Sequence, residues 1–507
     1  MTGGVPWLWR FGISRLILTA NTPAAVSKPT PSSLPRTAIL NVVGLTPRHI
    51  GPDTPFIRRF LAREENRLVH ITPQLPAVTS TMQATFLTGR STGEHGIVGN
   101  MWYDRAYCEH RCWKQSNHLV EGRKLWEQIR EENDPAYTCA KVFWWNNMYS
   151  TADYQITPRP IYCADGKKVF DVQTWPMKLA KKVTRKLGPF PFPAFWGPAA
   201  GIASSEWIAK SAKWFEEHYS PSLNLVYLPH LDYNLQRLGP DSPKIGEDLT
   251  AIDKVVADLV VYLEKRGVRV VLLSEYGITA VDRPIHLNRL FREKGWLSWR
   301  DELGREMLDP GNCKAFAIPD HQVAHIYVNE PALLDEVVAM LRKINGVTDV
   351  FTRDEQAARG LLHERSGDLL VVSDERSWFT YYYWKSDRKA PDYARCVDIH
   401  RKPGYDPVEL FINPKFWFPK LKVIWRLAKK FLGFRMLMDL IPLDATLVKG
   451  SHGCIPKDRA DHPVMIGAFP GLADGATIGA TEVYEELRAF CLRGSEGADD
   501  DEAASIK

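Results

Sequence analysis

An α/β fold, a mostly parallel sheet sandwiched by helices with an inserted cap region, is what this 507-residue sequence predicts, on three observations. Short, continuously apolar runs recur from Thr37 onward, helix-period segments stand between them, and polar residues follow the runs in turns. A composition of 45% hydrophobic and 25% charged residues excludes a disordered chain. Glycine without a period excludes a collagen, and 8 cysteines in this length exclude a disulfide scaffold.

The first run, Ala38 to Leu45, is too short for a helix and apolar throughout, as a buried parallel strand is. Leu68 to Ile71, Ala140 to Trp145, Leu223 to Leu228 and Val268 to Leu273 repeat it. Between the last two, Asp248 to Arg266 places Leu249, Ile252, Val256, Leu259 and Leu263 at helical spacing and stops at Gly267. Strand His325 to Val328 followed by helix Leu333 to Ile344 reads as another βαβ unit. Sheets of this kind carry their working residues just beyond the carboxyl ends of strands. The turns to inspect are therefore Val43 to Thr46, Pro229 to Asp232, Ser274 to Gly277 and Lys449 to Gly453. No GxxxxGK[ST] loop and no strand-linked GxGxxG occurs, so nucleotide cofactors of those kinds have no support.

The net charge of +5 is unevenly placed. No Asp or Glu precedes Asp53, whereas Arg10, Arg15, Lys28, Arg36 and Arg48 do, and residues 494–507 are acidic and rich in Gly, Ala and Ser. The expected organisation is a basic N-terminal extension over 1–36, one domain over 37–493 with cap elements in 278–448, and a solvated tail over 494–507. The extension, containing Arg and Ser and free of acid, reads either as an organellar transit peptide or as a disordered leader. No apolar stretch reaches 18 residues, so no transmembrane helix is expected. Scattered cysteines suggest a reducing compartment, cytoplasmic or organellar; only Cys108 and Cys112 are close, and a structural zinc site wants a second such pair.

Chemistry concentrates after a proline turn. Pro76-Ala-Val-Thr79 offers Thr79 as a helix cap, and the helix runs to Thr88-Gly89, then to His95-Gly96-Ile97 and Asn100. Thr79 as a plain cap is the simplest reading. Taken together, however, these elements and their spacing resemble the type I phosphodiesterase and nucleotide pyrophosphatase family of the alkaline phosphatase superfamily. Asp320-His321-Gln322 and Ser366-Gly367-Asp368 are similar to the phosphonoacetate hydrolase branch. The resemblance implies an alkaline-phosphatase-like domain and a hydrolase of a phosphodiester, phosphonate or pyrophosphate. It makes Thr79 the nucleophile, activated by divalent metal, with Asn100 stabilising phosphoryl charge. A sulfatase is excluded, since no Pro or Arg follows Thr79 at the required spacing, and no nucleic-acid module appears.

The ligand pattern is depleted. One metal site of the family takes an Asp, a His four residues later and a distant His; here these positions hold Asp232, Gln236 and His452. The other takes the Asp ending the first strand and an Asp-His pair, and here holds Val43, Glu275 and Tyr276. Val43 cannot ligate, a neutral phenol is a weak ligand, and an amide oxygen replaces an imidazole. Three readings stand open: a divalent ion, zinc by the resemblance, on Asp232 and His452 with Thr79 or Glu275 completing it; recruitment of His49, His230, Asp398 or His400; or lost metal chemistry. Asp232 could also be a simple turn residue, Glu275 the partner of an arginine, and His400 a loop histidine. A non-catalytic binding protein or a phospho-transferase using the same threonine are the alternatives in function.

Two basic segments fall outside the motif. Lys178 to Lys186 precedes an aromatic-proline run, and Lys415 to Arg435 has seven bases and no acid. In the second, Leu421, Ile424, Trp425, Ala428 and Leu432 share one helical face, opposite Lys422, Arg426, Lys429 and Lys430. The plain expectation is a helix whose apolar face packs on the domain; contact with an anionic membrane and a lid over the site are the others.

Overall fold

Apolar side chains alternate in destination along the first strand, Thr37–Val42 (β1): Ala38, Leu40 and Val42 enter one core and Ile39 enters another. Both faces of the sheet are therefore covered, which is why this strand carries no hydrophobic-polar alternation. Burying Ile39, Leu40 and Val42 contributes roughly 1.5–3 kcal/mol each. The single polar interruption, Asn41, is fully buried and is explained by the site below.

The computed structural model describes residues 31–398, 401–434 and 436–493, and all but Pro31 belong to one compact unit. The acidic tail, His400 and most of the basic extension lie outside the described residues. Residues 32–36, expected to belong to the extension, are instead tied to the domain. Ser32 and the Ser33 backbone donate to Asp134, and the Arg36 guanidinium pairs with the buried carboxylate of Glu216.

After β1 come Arg67–Thr72 (β2), Cys139–Val142 (β3), Tyr154–Pro158 (β4), Val172–Trp175 (β5), Leu223–Leu228 (β6) and Arg269–Leu273 (β7). Ala315–Asp320 (β8), Val323–Val328 (β9), Val347–Phe351 (β10) and Leu369–Ser373 (β11) follow, then Val464–Gly467 (β12) and Thr477–Gly479 (β13). Among the described residues the main sheet has nine strands in the order β13-β2-β12-β7-β1-β6-β3-β4-β5. Strands β7, β1, β6, β3 and β4 run parallel, with Ile39 level with both Leu225 and Val271. Antiparallel β12 separates β7 from β2.

Helices Ile202–Tyr219 and Ile245–Glu264 cover one face of this sheet, and Thr79–Thr88 (α1), Leu125–Glu132 (α2) and Val483–Leu492 cover the other. The helix expected over 248–266 begins three residues earlier and ends two sooner. The strand expected over 140–145 stops at Val142, because Phe143 takes a left-handed conformation (φ 61°) and turns the chain out of the sheet.

One expectation fails in kind. The strand over 325–328 does not extend the parallel sheet; it belongs to a second, antiparallel sheet of four strands, β8-β9-β11-β10, and the helix expected over 333–344 forms at Leu334–Leu341 between β9 and β10. That sheet lies within 278–448 and packs around its own apolar core, which includes Phe316, Ile326, Leu369 and Trp384. A strand-helix-strand pattern is the same in sequence whether its strands are neighbours or, as here, have a third strand inserted between them. Among the described residues, no helix is long and apolar enough to cross a membrane, and all eight cysteines carry free thiols.

Candidate active site

Four chain segments meet beyond the carboxyl ends of β1, β6 and β7. Helix α1 contributes its N-terminus: Val78, extended at φ -130°, is the cap, and Thr79 is the first helical residue. The expectation of Thr79 as cap is thus corrected by one position. Its hydroxyl is turned to side chains across the site instead of to its own helix, 3.2 Å from the Tyr276 phenol. The first N–H groups of α1 have no partner inside the helix, and such an end favours negative charge. Ser80 N–H donates to the Asn100 amide oxygen at 3.0 Å, which fixes Asn100 against this end.

Strand β6 leads into His230–Leu238 (α3), whose first turn holds Asp232. Tyr276 donates to Asp232 Oδ1 at 3.1 Å and Gln236, one helical turn on, donates to Oδ2 at 2.8 Å. Since the single phenol proton goes to Asp232, the Tyr276 oxygen is left to accept from Thr79. Burial lifts the Asp232 carboxyl to about 7, against these two hydrogen bonds.

Strand β7 ends at Ser274 and delivers Glu275 and Tyr276. Among the described residues Glu275 has no arginine partner. Asn41 and Gln83 amides donate to its Oε2 at 2.6 and 2.9 Å, and burial lifts it to about 8. This accounts for the polar residue inside β1. Gly277 follows because a Cβ there would run into the carbonyl oxygen of Asp461.

The last segment brings His452, whose Nδ1 is 2.9 Å from the Ala77 carbonyl, just before α1. Its ring stacks on Tyr276, centroids 3.7 Å apart, and its Nε2 lies 3.9 Å from Asp232 Oδ1. Burial holds it neutral, down to about 3.

Thr79, Asn100, Asp232, Tyr276 and His452 line one narrow pocket, while Glu275 stands behind Thr79. The free space between these side chains is about 30 Å³, room for a water molecule. Its outer wall is aromatic: Trp113, Trp145, Phe195 and Trp196. Sequence reasoning missed Asp320, which accepts from the Asn100 backbone at 2.7 Å and from the Asn100 amide at 3.2 Å, and Tyr405, which donates to Asp320. It also missed His321, whose ring lies 4.0 Å from that of His452. The Asp-His-Gln triplet was the available signal for these positions.

Of the candidates for recruitment, the three among the described residues do not join the pocket. His49 bonds to Thr46, His230 faces Asp248 at 3.1 Å, and Asp398 accepts from Tyr162 and Lys168. Nor do the residues present fit a pair of metal ions. Among the described residues no three His, Cys, Asp or Glu side chains converge as a metal requires. Asp232 and Glu275 are each occupied by neutral donors, Val43 offers no donor atom, and the Tyr276 ring fills the space beside His452.

This architecture, a mostly parallel sheet covered by helices on both faces, is alkaline-phosphatase-like. Two solved structures show the same fold. Murine ectonucleotide pyrophosphatase / phosphodiesterase 5, in an inactive form in complex with AMP, is 16% identical, with 90% of this chain and 95% of that one covered at a TM-score of 0.54. Phosphonoacetate hydrolase from Sinorhizobium meliloti 1021, in complex with phosphonoformate, is 15% identical, covering 92% and 100% at 0.57. The sequence model of the type I phosphodiesterase / nucleotide pyrophosphatase family matches residues 37–406, and the chain belongs to that family. An uncharacterized pyrophosphatase/phosphodiesterase of Schizosaccharomyces pombe is 26% identical over 243 residues, 46% of this chain. The match spans 42% of that relative's length.

Proposed function

We propose that this chain hydrolyses a phosphodiester, phosphonate or pyrophosphate of a small molecule, with Thr79 as nucleophile. The observation that carries the reading is the hydrogen-bond chain from Thr79 through the Tyr276 phenol to Asp232. A threonine hydroxyl is a weak nucleophile unless a neighbour takes its proton. As the Thr79 Oγ1–phosphorus bond forms and the bond to the leaving group breaks, the hydroxyl proton passes to the phenol and the phenol proton to Asp232. The N-terminal end of α1 would meet the phosphoryl charge, with the Asn100 side chain held beside it by Ser80 N–H. Water then attacks phosphorus and gives up a proton to solvent, the Thr79 Oγ1–phosphorus bond breaks, and the proton on Asp232 returns through the phenol to Thr79.

The family is divalent-metal dependent, and one spacing favours a second reading with a single ion. Asp232 Oδ1 and His452 Nε2, 3.9 Å apart, are the pair that would hold it, with Glu275 as the further carboxyl of the family pattern. Zinc is the ion the family pattern suggests.

The test is hydrolysis of an aryl phosphodiester by the parent and Thr79→Ala, each with and without chelator, alongside elemental analysis. Activity lost in Thr79→Ala and kept under chelator supports the first reading. Activity lost under chelator with stoichiometric metal supports the second. Equal activity of both proteins, or transfer only to an added alcohol, overturns hydrolysis through Thr79.

A further inference from the structure

Helix Pro419–Phe431 (α4) reverses the expected orientation. Its apolar face does not pack on the domain: Leu421, Ile424, Trp425 and Phe431 are 61%, 60%, 59% and 92% exposed. Trp417 and Phe418 before it, and Leu432 and Phe434 after it, are exposed as well. The helix turns part of its basic face inward. Arg426 makes a two-pronged pair with Asp439 at 2.9 and 3.0 Å, and Lys422 reaches the same carboxylate at 3.4 Å. Helix α4 buries none of its residues.

The segment is held at its root. Asn413 N–H donates to the Leu440 carbonyl, closing the excursion, and Ile441 N–H donates to the Arg395 carbonyl. Next to the root, Leu410 and Phe411 pack with Tyr233 and Trp196, two residues of the pocket wall. The exposed face is therefore presented by a fixed base.

An exposed apolar face this large is costly unless something covers it. Its flanks say what. Lys415, Lys420, Lys429 and Lys430 make no ion pair among the described residues, and no acid lies between 415 and 434. Tryptophan and phenylalanine ringed by lysine is the composition of a helix lying in a lipid headgroup layer, where the rings enter the acyl boundary and the ammonium groups stay at the phosphates. The carboxylate that the helix does meet within the chain, Asp439, is spent on Arg426 and Lys422, which leaves the other lysines free for lipid phosphates.

We propose that residues 417–434 dock the protein on the surface of an anionic lipid bilayer, without crossing it. This does not rest on the proposed catalytic function. Co-sedimentation of the full chain with phosphatidylcholine vesicles, with and without phosphatidylserine, tests it. The parent binds the anionic vesicles, less so as salt rises. Trp417→Ser/Trp425→Ser/Phe431→Ser lowers the partition coefficient by at least about tenfold with an unchanged unfolding temperature. Lys420→Gln/Lys429→Gln/Lys430→Gln removes the preference for phosphatidylserine. Absence of binding by the parent, or undiminished binding by the aromatic variant, overturns the proposal. So does a parent that dimerises in light scattering while the aromatic variant stays monomeric.

Discussion

Tyr276 lies flat on His452, ring centroids 3.7 Å apart and planes within 3° of parallel. Where the family pattern calls for a ligand imidazole, this chain has a phenol that stacks on one predicted ligand, donates to another, Asp232, and accepts from Thr79. One side chain thus ties together the parts of the site that a metal would otherwise join.

Removing that hydroxyl separates its two roles. Tyr276→Phe keeps the stack and breaks the Thr79-to-Asp232 chain, so kcat on an aryl phosphodiester is expected to fall by roughly 10²–10⁴-fold, the range of general acid-base effects, with KM little changed. Steady-state kinetics check this; full activity in the variant would sink the proton path.

Adding an imidazole should move the site toward metal. Gln236 is fully buried with its amide 2.8 Å from Asp232, so Gln236→His places a third donor beside Asp232 and His452. Zinc bound per chain is expected to rise, and zinc at a hundredfold excess over its Kd to stabilise the variant by about 2.7 kcal/mol. Elemental analysis and calorimetry read both.

Acid should unfold the protein through histidines remote from Thr79. His325 donates from Nε2 to the Val98 carbonyl and accepts at Nδ1 from Gly367 N–H; His95 accepts at Nδ1 from Ile97 N–H. Both rings must be neutral, and burial depresses them to about 4 and about 3 from 6.5. Folding therefore disfavours their protonation. The stability they contribute is whole above pH 6.5 and is lost as pH falls toward 4, by up to roughly 1.4 kcal/mol per pH unit each. In urea titrations His325→Gln should show a shallower loss between pH 6.5 and pH 4.5 than the parent; equal slopes would exclude His325.

Behind the pocket wall, Lys402 and Glu409 form an ion pair that is almost wholly buried, and Glu409 also accepts from the Trp196 indole at 3.1 Å. Lys402→Met leaves that carboxylate without its counter-charge, at a cost of about 3–5 kcal/mol. Calorimetry should show a clear drop in Tm; no drop would mean that Glu409 is protonated in the fold.

Much of this was legible in the sequence because local chemistry determined it. The apolar runs ending at Val43, Leu228 and Leu273 marked strands by burial alone, and the turns after them hold Asp232, Glu275 and Tyr276. What was not legible depended on distant partners. Nothing near Asn41 says that its amide meets Glu275, and nothing in α4 says that Asp439 turns its basic face inward. The antiparallel second sheet was missed because a βαβ pattern does not say which strand lies between its two.

The contact between His452 and the carbonyl of Ala77 joins residues 375 positions apart. At translation rates of about 5–20 residues per second, Thr79 leaves the ribosome some 20–75 s before the histidine that completes its surroundings. A nascent or prematurely truncated chain therefore carries the threonine without His452 and the turn that brings it to Ala77.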